Sequence, residues 1–452
     1  MIFKILIALV ALAPLPFASV YPWSTSLMAL VVGILLVAWR IELVMKGRAP
    51  AFGLRSTWPF MALFSITVIW AAIQAFKGGP SGWYNPMWPK ASEALGRPLD
   101  GAISVNPEAT LSALMGLLTY GGVFFLSLQY CRRTENARRV VKAVAVAGFV
   151  YAVYGLWVQI SGSRTILWYN KFAYFDDLTS TFVNRNSYAT YAGLGLVCLT
   201  GLIVNILSNA MAKPFGRVER RQIIEVIFEQ GWFLLVGWVV VMTALILTHS
   251  RAGFLSTVLA LIVLSLLLSM SKGVRVRYAV ILSGLSVILV GLLFSFSGEG
   301  LDQRLGSLFT SNDSRMTVYR LTVGAIGEYP WQGTGYGTFA EVFQSFRSPE
   351  LYKEFLKAHN TYLENTLELG IPAAAALFGV FIGFLVVTLH GVRTRRRSIL
   401  YPSIGFAATV LVGVHSLVDF SLQIPALAVT YSLLMGAACA QSRSSKEPRD
   451  PY

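Results

Sequence analysis

Stretches of about 20 consecutive apolar residues, the length that carries an α-helix across a bilayer, recur along the whole of this chain. Split at charges, they fall at 2–20, 24–39, 58–76, 110–130, 140–160, 187–207, 231–248, 252–270, 278–296, 360–390, 400–419 and 423–440. Composition agrees: of 452 residues 55% are hydrophobic and 13% charged, which excludes a string of soluble domains. The sequence predicts an all-α polytopic membrane protein of about 12 transmembrane helices. One transmembrane domain is expected over 1–440, with a disordered cytoplasmic tail over 441–452. The first run has an alternative reading as a cleaved signal peptide, because Lys4 precedes a short apolar core broken by Pro14 and Pro16.

The formal charge of +15 is not gathered by any basic helix or aromatic-basic motif, so nucleic acid is not an expected partner. Most of the 37 basic residues instead fall on the side that also holds Lys4, including Arg132, Arg133, Arg138, Arg139 and Lys142 before the fifth run. The positive-inside rule then puts both termini in the cytoplasm and loops 77–109, 161–186 and 297–359 outside. The last of these lies between spans nine and ten and is long enough to carry function. Asp313 or Ser314 can cap a helix running through Glu328, stopped by Pro330, and Ser348 can cap another running toward His359, which together make a helical cap. Cys131, Cys198 and Cys439 are too scattered for a disulfide framework.

Charge near a bilayer is costly, so polar residues at the outer ends of spans carry the most information. Arg185 immediately precedes the sixth span and Arg251 sits in the turn opening the eighth. Both spans run from outside to inside, so each arginine stands beside unpaired N–H groups and the positive end of a helix dipole. Asn184 or Asn186, and Ser250, are the matching caps. A guanidinium at such an end suits an anion, and phosphate above all. Taken singly, either arginine also reads as one that snorkels to the interface or pairs with a carboxylate. Arg315 and Arg320 lie on the expected 314–328 helix and Arg304 precedes it.

His359 opens the tenth span, where an imidazole can take a hydroxyl proton or serve as a hydrogen-bonded structural residue. His415 and Asp419 are spaced i,i+4, so they can form a dyad on one helix face and offer an alternative base. The four histidines show no paired ligand spacing, so neither a metal nor a cofactor is expected. Gly333-Thr-Gly-Tyr-Gly337 has the look of a phosphate cradle but follows no strand, and reads better as a close-packing loop. Trp83, Tyr84 and Trp88 read as interfacial aromatics rather than a sugar platform.

Four segments in series resemble the O-antigen ligase and O-antigen polymerase superfamily of bacterial polytopic glycosyltransferases. They are Thr181-Phe-Val-Asn-Arg-Asn186, Ser250-Arg-Ala-Gly253, Arg315 followed by Tyr329-Pro-Trp-Gln-Gly-Thr-Gly-Tyr-Gly-Thr-Phe339, and His359-Asn-Thr-Tyr-Leu-Glu364 through Glu368-Leu-Gly370. The resemblance covers most of the chain from the fifth span onward; the first four spans carry no diagnostic residue. It implies transfer of a glycan from undecaprenyl pyrophosphate to an acceptor hydroxyl on the periplasmic face of the inner membrane, inverting and without metal or cofactor. It further implies that Arg185 and Arg251 bind the pyrophosphate and His359 acts as base. Arg315 joins the pyrophosphate-binding candidates, with Asn360, Glu368, His415 and Asp419 as supporting residues. Lipid A-core is the favoured acceptor, as in a ligase, while a repeat-unit polymerase is the alternative within the superfamily. A transporter gated by Arg185 and Arg251 is the alternative from another class, although transporters place such charges near the midplane and often show repeated halves.

If the charge distribution sets the topology, a cysteine at position 359 reacts with a membrane-impermeant reagent in intact spheroplasts. Labelling only after the inner membrane is opened overturns this topology.

Overall fold

The computed structural model describes residues 1–211, 229, 231–270, 314–348, 351, 354–395 and 399–443. Its helices, in chain order, are α1 (Ile2–Leu12), α2 (Pro22–Met45), α3 (Leu54–Ala75), α4 (Met87–Leu95), α5 (Pro107–Tyr130), α6 (Thr134–Ile160), α7 (Arg185–Met211) and α8 (Trp232–Ile246). There follow α9 (Arg251–Ser269), α10 (Ser314–Glu328), α11 (Phe339–Phe346), α12 (Thr361–Leu369), α13 (Ile371–Thr394), α14 (Leu400–His415) and α15 (Pro425–Ser442). One two-stranded hairpin, β1 (Thr165–Ile166) with β2 (Tyr169–Asn170), interrupts an otherwise helical chain. In lipid a helix satisfies its own backbone, which is why long apolar runs take this form.

Among the described residues seven helices are long and apolar enough to cross a membrane: α2, α3 from Thr57, α5, α6, α7, α9 and α13. Three shorter apolar helices, α1, α8 and α14, accompany them. The expected ninth run, 278–296, lies outside the described residues. The bundle has a definite centre. Buried residues make up 83% of the apolar stretch of α7 but 17% of that of α2, so α7 is enclosed by its neighbours and α2 faces lipid. α15 is buried along its length and lies against α5, where Ser127 Oγ donates to Leu433 O at 2.7 Å.

Three expected elements end differently, each for a local reason. The first run stops at Leu12 rather than at residue 20, because Pro14 and Pro16 cannot continue a helix. The resulting α1 is about 16 Å long at 1.5 Å per residue, about half the hydrocarbon thickness. The tenth run is broken into α12 and α13 at Gly370, whose φ of +75° suits glycine and whose absent Cβ leaves room for Trp331 O. Pro372 follows in the first turn of α13. At the C-terminal end α15 runs to Ser442, two residues into the segment expected to be a tail.

Outside the bundle, the loop before α5 and the segment 314–360 form one cap. The helix expected over Ser314–Glu328 is α10. The second cap helix is α11; of the helix expected from Ser348 toward His359, the described residues 348, 351 and 354–360 are not helical, and the others lie outside the described residues. That stretch is held by side chains instead: Arg347 Nε donates to Leu351 O at 2.9 Å, and Glu364 accepts from Ala358 N at 2.8 Å and from Lys357 Nζ at 3.1 Å. Val318, Ala325, Phe339, Val342, Phe343 and Leu367 give the cap its own small core. Gln74, buried at the top of α3, fastens the cap to the bundle. Its Nε2 donates to Gln332 O at 2.7 Å and to Glu368 O at 2.8 Å, and its Oε1 accepts from Tyr336 N at 3.1 Å.

The α5–α15 contact yields a stability test. A Cβ at Gly436 would stand 2.5 Å from Phe124 O, so Gly436→Ala costs about 1–3 kcal/mol as an overpacked contact and lowers the melting midpoint. Gly324→Ala on α10, where nothing lies within 4 Å, is the control and leaves the midpoint unchanged or raised.

Candidate functional site

α7 and α9 both begin on an arginine, Arg185 and Arg251, and their starts are tied together. Asn184 caps α7, its Oδ1 accepting from Asn186 N at 2.7 Å, and Ser250 caps α9, its Oγ accepting from Gly253 N at 3.2 Å. The same Ser250 Oγ donates to Asn186 Oδ1 at 2.8 Å, so the two positive dipole ends converge. Arg185 Nη1 donates to Asp177 Oδ2 at 2.8 Å, and its guanidinium lies 5.4 Å from the centre of the Tyr174 ring. Arg185 Nε has no hydrogen-bond partner among the described residues. The other oxygen of Asp177 meets His249 Nδ1 at 2.8 Å. Arg251 is exposed on the first turn of α9.

A second group lies where α12 meets the end of α14. His359, at φ +53°, directs Nδ1 toward Asp419 Oδ1 at 3.5 Å, an ion-pair distance rather than a closed hydrogen bond. The imidazole is 21% exposed and the carboxylate 1%, so one has access to solvent and the other does not. Phe420 packs edge-on against the imidazole with ring centres 5.0 Å apart. Thr361 pins the two segments together, its N donating to Ser416 O and its Oγ1 to Asp419 O, each at 2.9 Å. Burial alone pushes the Asp419 carboxyl up. His359 and His415 outweigh that effect and hold it below the ordinary carboxylate value.

His415 and Asp419 do not form the expected helical pair. α14 ends at His415, residues 416–418 turn, and Asp419 is thereby directed at His359. His415 reaches Asp419 through Ser421, whose Oγ lies 3.1 Å from His415 Nδ1 and 3.3 Å from Asp419 Oδ2. His415 Nδ1 also lies 2.8 Å from Thr190 Oγ1, whose single proton can go to Asn186 O or to Ser421 Oγ, each 3.1 Å away. One polar chain therefore runs from the joined helix starts through Thr190 and Ser421 to Asp419 and His359. Arg315, half-buried on the first turn of α10, belongs to the same neighbourhood. Burial raises the Tyr174 hydroxyl, Asp419 adds to the rise, and Arg185 and Arg315 oppose it.

The remaining candidates serve the scaffold. Asn360 caps α12, accepting from Tyr362 N at 3.0 Å and Leu363 N at 3.1 Å. Glu368 faces the cap, accepting from Phe339 N at 3.0 Å, and burial followed by repulsion from Glu364 pushes its carboxyl up to about 8. The 333–337 loop is no phosphate cradle, since Thr334 N and Gly335 N are spent on Glu368 O. Trp88 Nε1 donates to Ser104 O at 3.0 Å within the cap, while Trp83 is exposed. Arg320 is exposed on α10, and Arg304 lies outside the described residues. No cluster of three or more His, Cys, Asp or Glu suited to a metal occurs among the described residues.

Behind α12 an apolar cavity of about 940 Å³ extends between α2, α3 and α5 on one side and α13 to α15 on the other. Thr361 and Ser416, which pin the Asp419 segment, also line its upper end.

Fold and site together describe a polytopic membrane protein in which two arginine-bearing helix starts are linked to a histidine-carboxylate pair. Residues 233–378 match the family described as O-antigen ligase, which supports the kinship with the O-antigen ligase and polymerase superfamily. The matched segment includes His249, Arg251, Arg315 and His359; Arg185, His415 and Asp419 lie outside it. No curated protein matches the chain.

Glu368 gives a pH test. Its folded-state value lies above its ordinary 4.5, so its contribution to stability is complete below about 4.5 and is lost as pH rises through about 8. Glu368→Gln, which mimics the protonated carboxyl, should flatten that part of the melting-midpoint profile. An unchanged slope rules out this source.

Proposed function

We propose that this chain is a lipid-linked glycan transferase of the bacterial inner membrane, with its site on the periplasmic face and both termini in the cytoplasm. The donor is a glycan on undecaprenyl pyrophosphate and the acceptor a hydroxyl, with lipid A-core favoured over a second lipid-linked repeat unit. The carrying observation is the series of polar contacts from the arginine-bearing helix starts to Asp419, completed by the 3.5 Å ion-pair contact of Asp419 with His359. The match to the O-antigen ligase family over 233–378 supports the same reading.

The chemistry divides between the two halves. Asp419, facing Nδ1, favours the tautomer in which His359 Nε2 is the basic nitrogen. Nε2 takes the acceptor hydroxyl proton as the oxygen bonds to the anomeric carbon. The bond from that carbon to the pyrophosphate breaks, and its electron pair leaves on the phosphate oxygen. Arg185, Arg251, Arg315 and the two helix dipoles meet the charge as it develops. The proton remains on His359, stabilised by Asp419, until release. A single displacement inverts the anomeric centre, and no metal has a part in it.

The test is purified protein in lipid nanodiscs with lipid-linked glycan and each candidate acceptor. Release of undecaprenyl pyrophosphate with glycan on lipid A-core is expected. Product on a second lipid-linked unit reassigns the protein as a polymerase, and no release with any acceptor removes the enzymatic reading. Arg185→Lys and Arg251→Lys should each lose about 10 to 150-fold, because an ammonium cannot supply the forked contact. His359→Ala should lose about 10² to 10⁴ in turnover while retaining lipid pyrophosphate. If His415→Ala instead abolishes turnover and His359→Ala is nearly silent, the base is misassigned.

A further inference from the structure

Asp177 and His249 belong to neither half of the mechanism above, yet they sit against Arg185. Asp177 uses its two oxygens separately, Oδ2 for Arg185 Nη1 and Oδ1 for His249 Nδ1, both at 2.8 Å. Its side chain is 13% exposed, whereas that of His249 is 58% exposed. The carboxylate is thus enclosed while the imidazole it holds is open to a ligand. With Nδ1 committed to Asp177, Nε2 is the ring nitrogen left for such a contact.

Two readings of this carboxylate differ in sign. A displaceable anion would occupy the phosphate position until substrate expelled it, whereas a fixed one would aim its partners. The backbone decides for the second. Asp177 N donates to Tyr174 O at 3.2 Å, Asp177 O accepts from Lys171 Nζ at 2.7 Å, and Leu178 N donates to Leu247 O at 2.9 Å. Asp176 O accepts from Gln159 Nε2 at 3.0 Å as well. A carboxylate anchored on both flanks is built to stay. His249 is equally constrained, at φ +49°, a left-handed conformation that persists only where its surroundings impose it.

Resting on the lipid-pyrophosphate reading, the geometry points to Asp177 as a positioning residue that aims Arg185 and His249 together at the pyrophosphate, with His249 as a further substrate-contacting residue. Asp177 bridges the same two helix starts that Ser250 and Asn186 join. It sets the spacing between a cation on α7 and a donor just before α9.

Farnesyl diphosphate is the probe, titrated by calorimetry into the full chain in nanodiscs. Asp177→Asn and His249→Gln should each weaken binding about tenfold, the loss of one charge-assisted contact, with melting midpoints near wild type. Asp177→Glu should recover part of the loss. Because Asp177 acts through its two partners, adding Asp177→Asn to the Arg185→Ala, His249→Gln double variant should cost nothing more. A purely structural carboxylate would add its own loss in that background, which overturns the proposal. Tighter binding by Asp177→Asn identifies a competing anion and overturns it too. If Arg185→Ala weakens binding while His249→Gln and Asp177→Asn stay within twofold of wild type, the inference fails alone. If the wild-type protein binds no probe, the function reading fails with it. Should Asp177→Asn not fold, His249→Gln at its exposed position decides by the same criterion.

Discussion

The hydrogen bond from Ser250 to Asn186 joins the starts of two helices that are 64 residues apart in the chain. Much of the site depends on that junction. A helix start leaves backbone N–H groups unbonded and carries partial positive charge, and a membrane protein rarely tolerates two such ends side by side unless an anion or a cap answers them. Here each start has its own cap, and the caps are bonded to each other. Arg185 and Arg251 add full charges where partial ones already converge. From Asn186 the polar chain continues through Thr190, one turn deeper in α7, so a helix enclosed by its neighbours connects the cationic end to His415, Ser421 and Asp419.

Backbone strain marks the same region. Of the eight described residues other than glycine at positive φ, four, Tyr174, Ser180, His249 and His359, lie in or beside the site. Each such conformation costs on the order of 1–3 kcal/mol and needs a surrounding structure that enforces it. The enforcing contacts are specific. Ser180 Oγ donates to Tyr151 O at 2.7 Å, Tyr319 Oη donates to His359 O at 2.8 Å, and Asp177 holds the His249 ring. The cap supplies the bond from Tyr319 and is itself fixed by Gln74, so rigidity at the top of α3 reaches the proposed base.

The sequence made legible what is local or periodic. Apolar run length foretold the seven candidate spans among the described residues, Ser250 and Asn184 could be named as caps from their place before a run, and α10 ends where expected because its stop, Pro330, lies two residues beyond Glu328. The O-antigen ligase resemblance rested on short motifs of the same kind. Asp177, Thr190 and Ser421 were missed because each matters only through a tertiary meeting. Asp177 finds His249 across 72 residues, and Thr190 finds His415 across 225. His249 stood in plain view beside Ser250, but without Asp177 it was only a lone histidine. The expected His415–Asp419 pairing failed for a related reason: i,i+4 spacing matters only while the helix lasts, and this one ends at His415. Over residues 354–360 the expected helix toward His359 gave way to bonds from Lys357 and Ala358 to Glu364, seven and six residues on, a spacing outside the helical pattern.

In the proposed reaction the pyrophosphate sits between the joined starts of α7 and α9, within reach of His359. A polyprenyl diphosphate analogue carrying a photoreactive group at its phosphate end, photolysed on the protein in nanodiscs and mapped by peptide sequencing, tests it directly. Adducts are expected within residues 174–187 and 248–253, lost on competition with unmodified lipid diphosphate. Adducts confined to the apolar cavity between α5 and α15, or to the end of the bundle opposite those helix starts, contradict it.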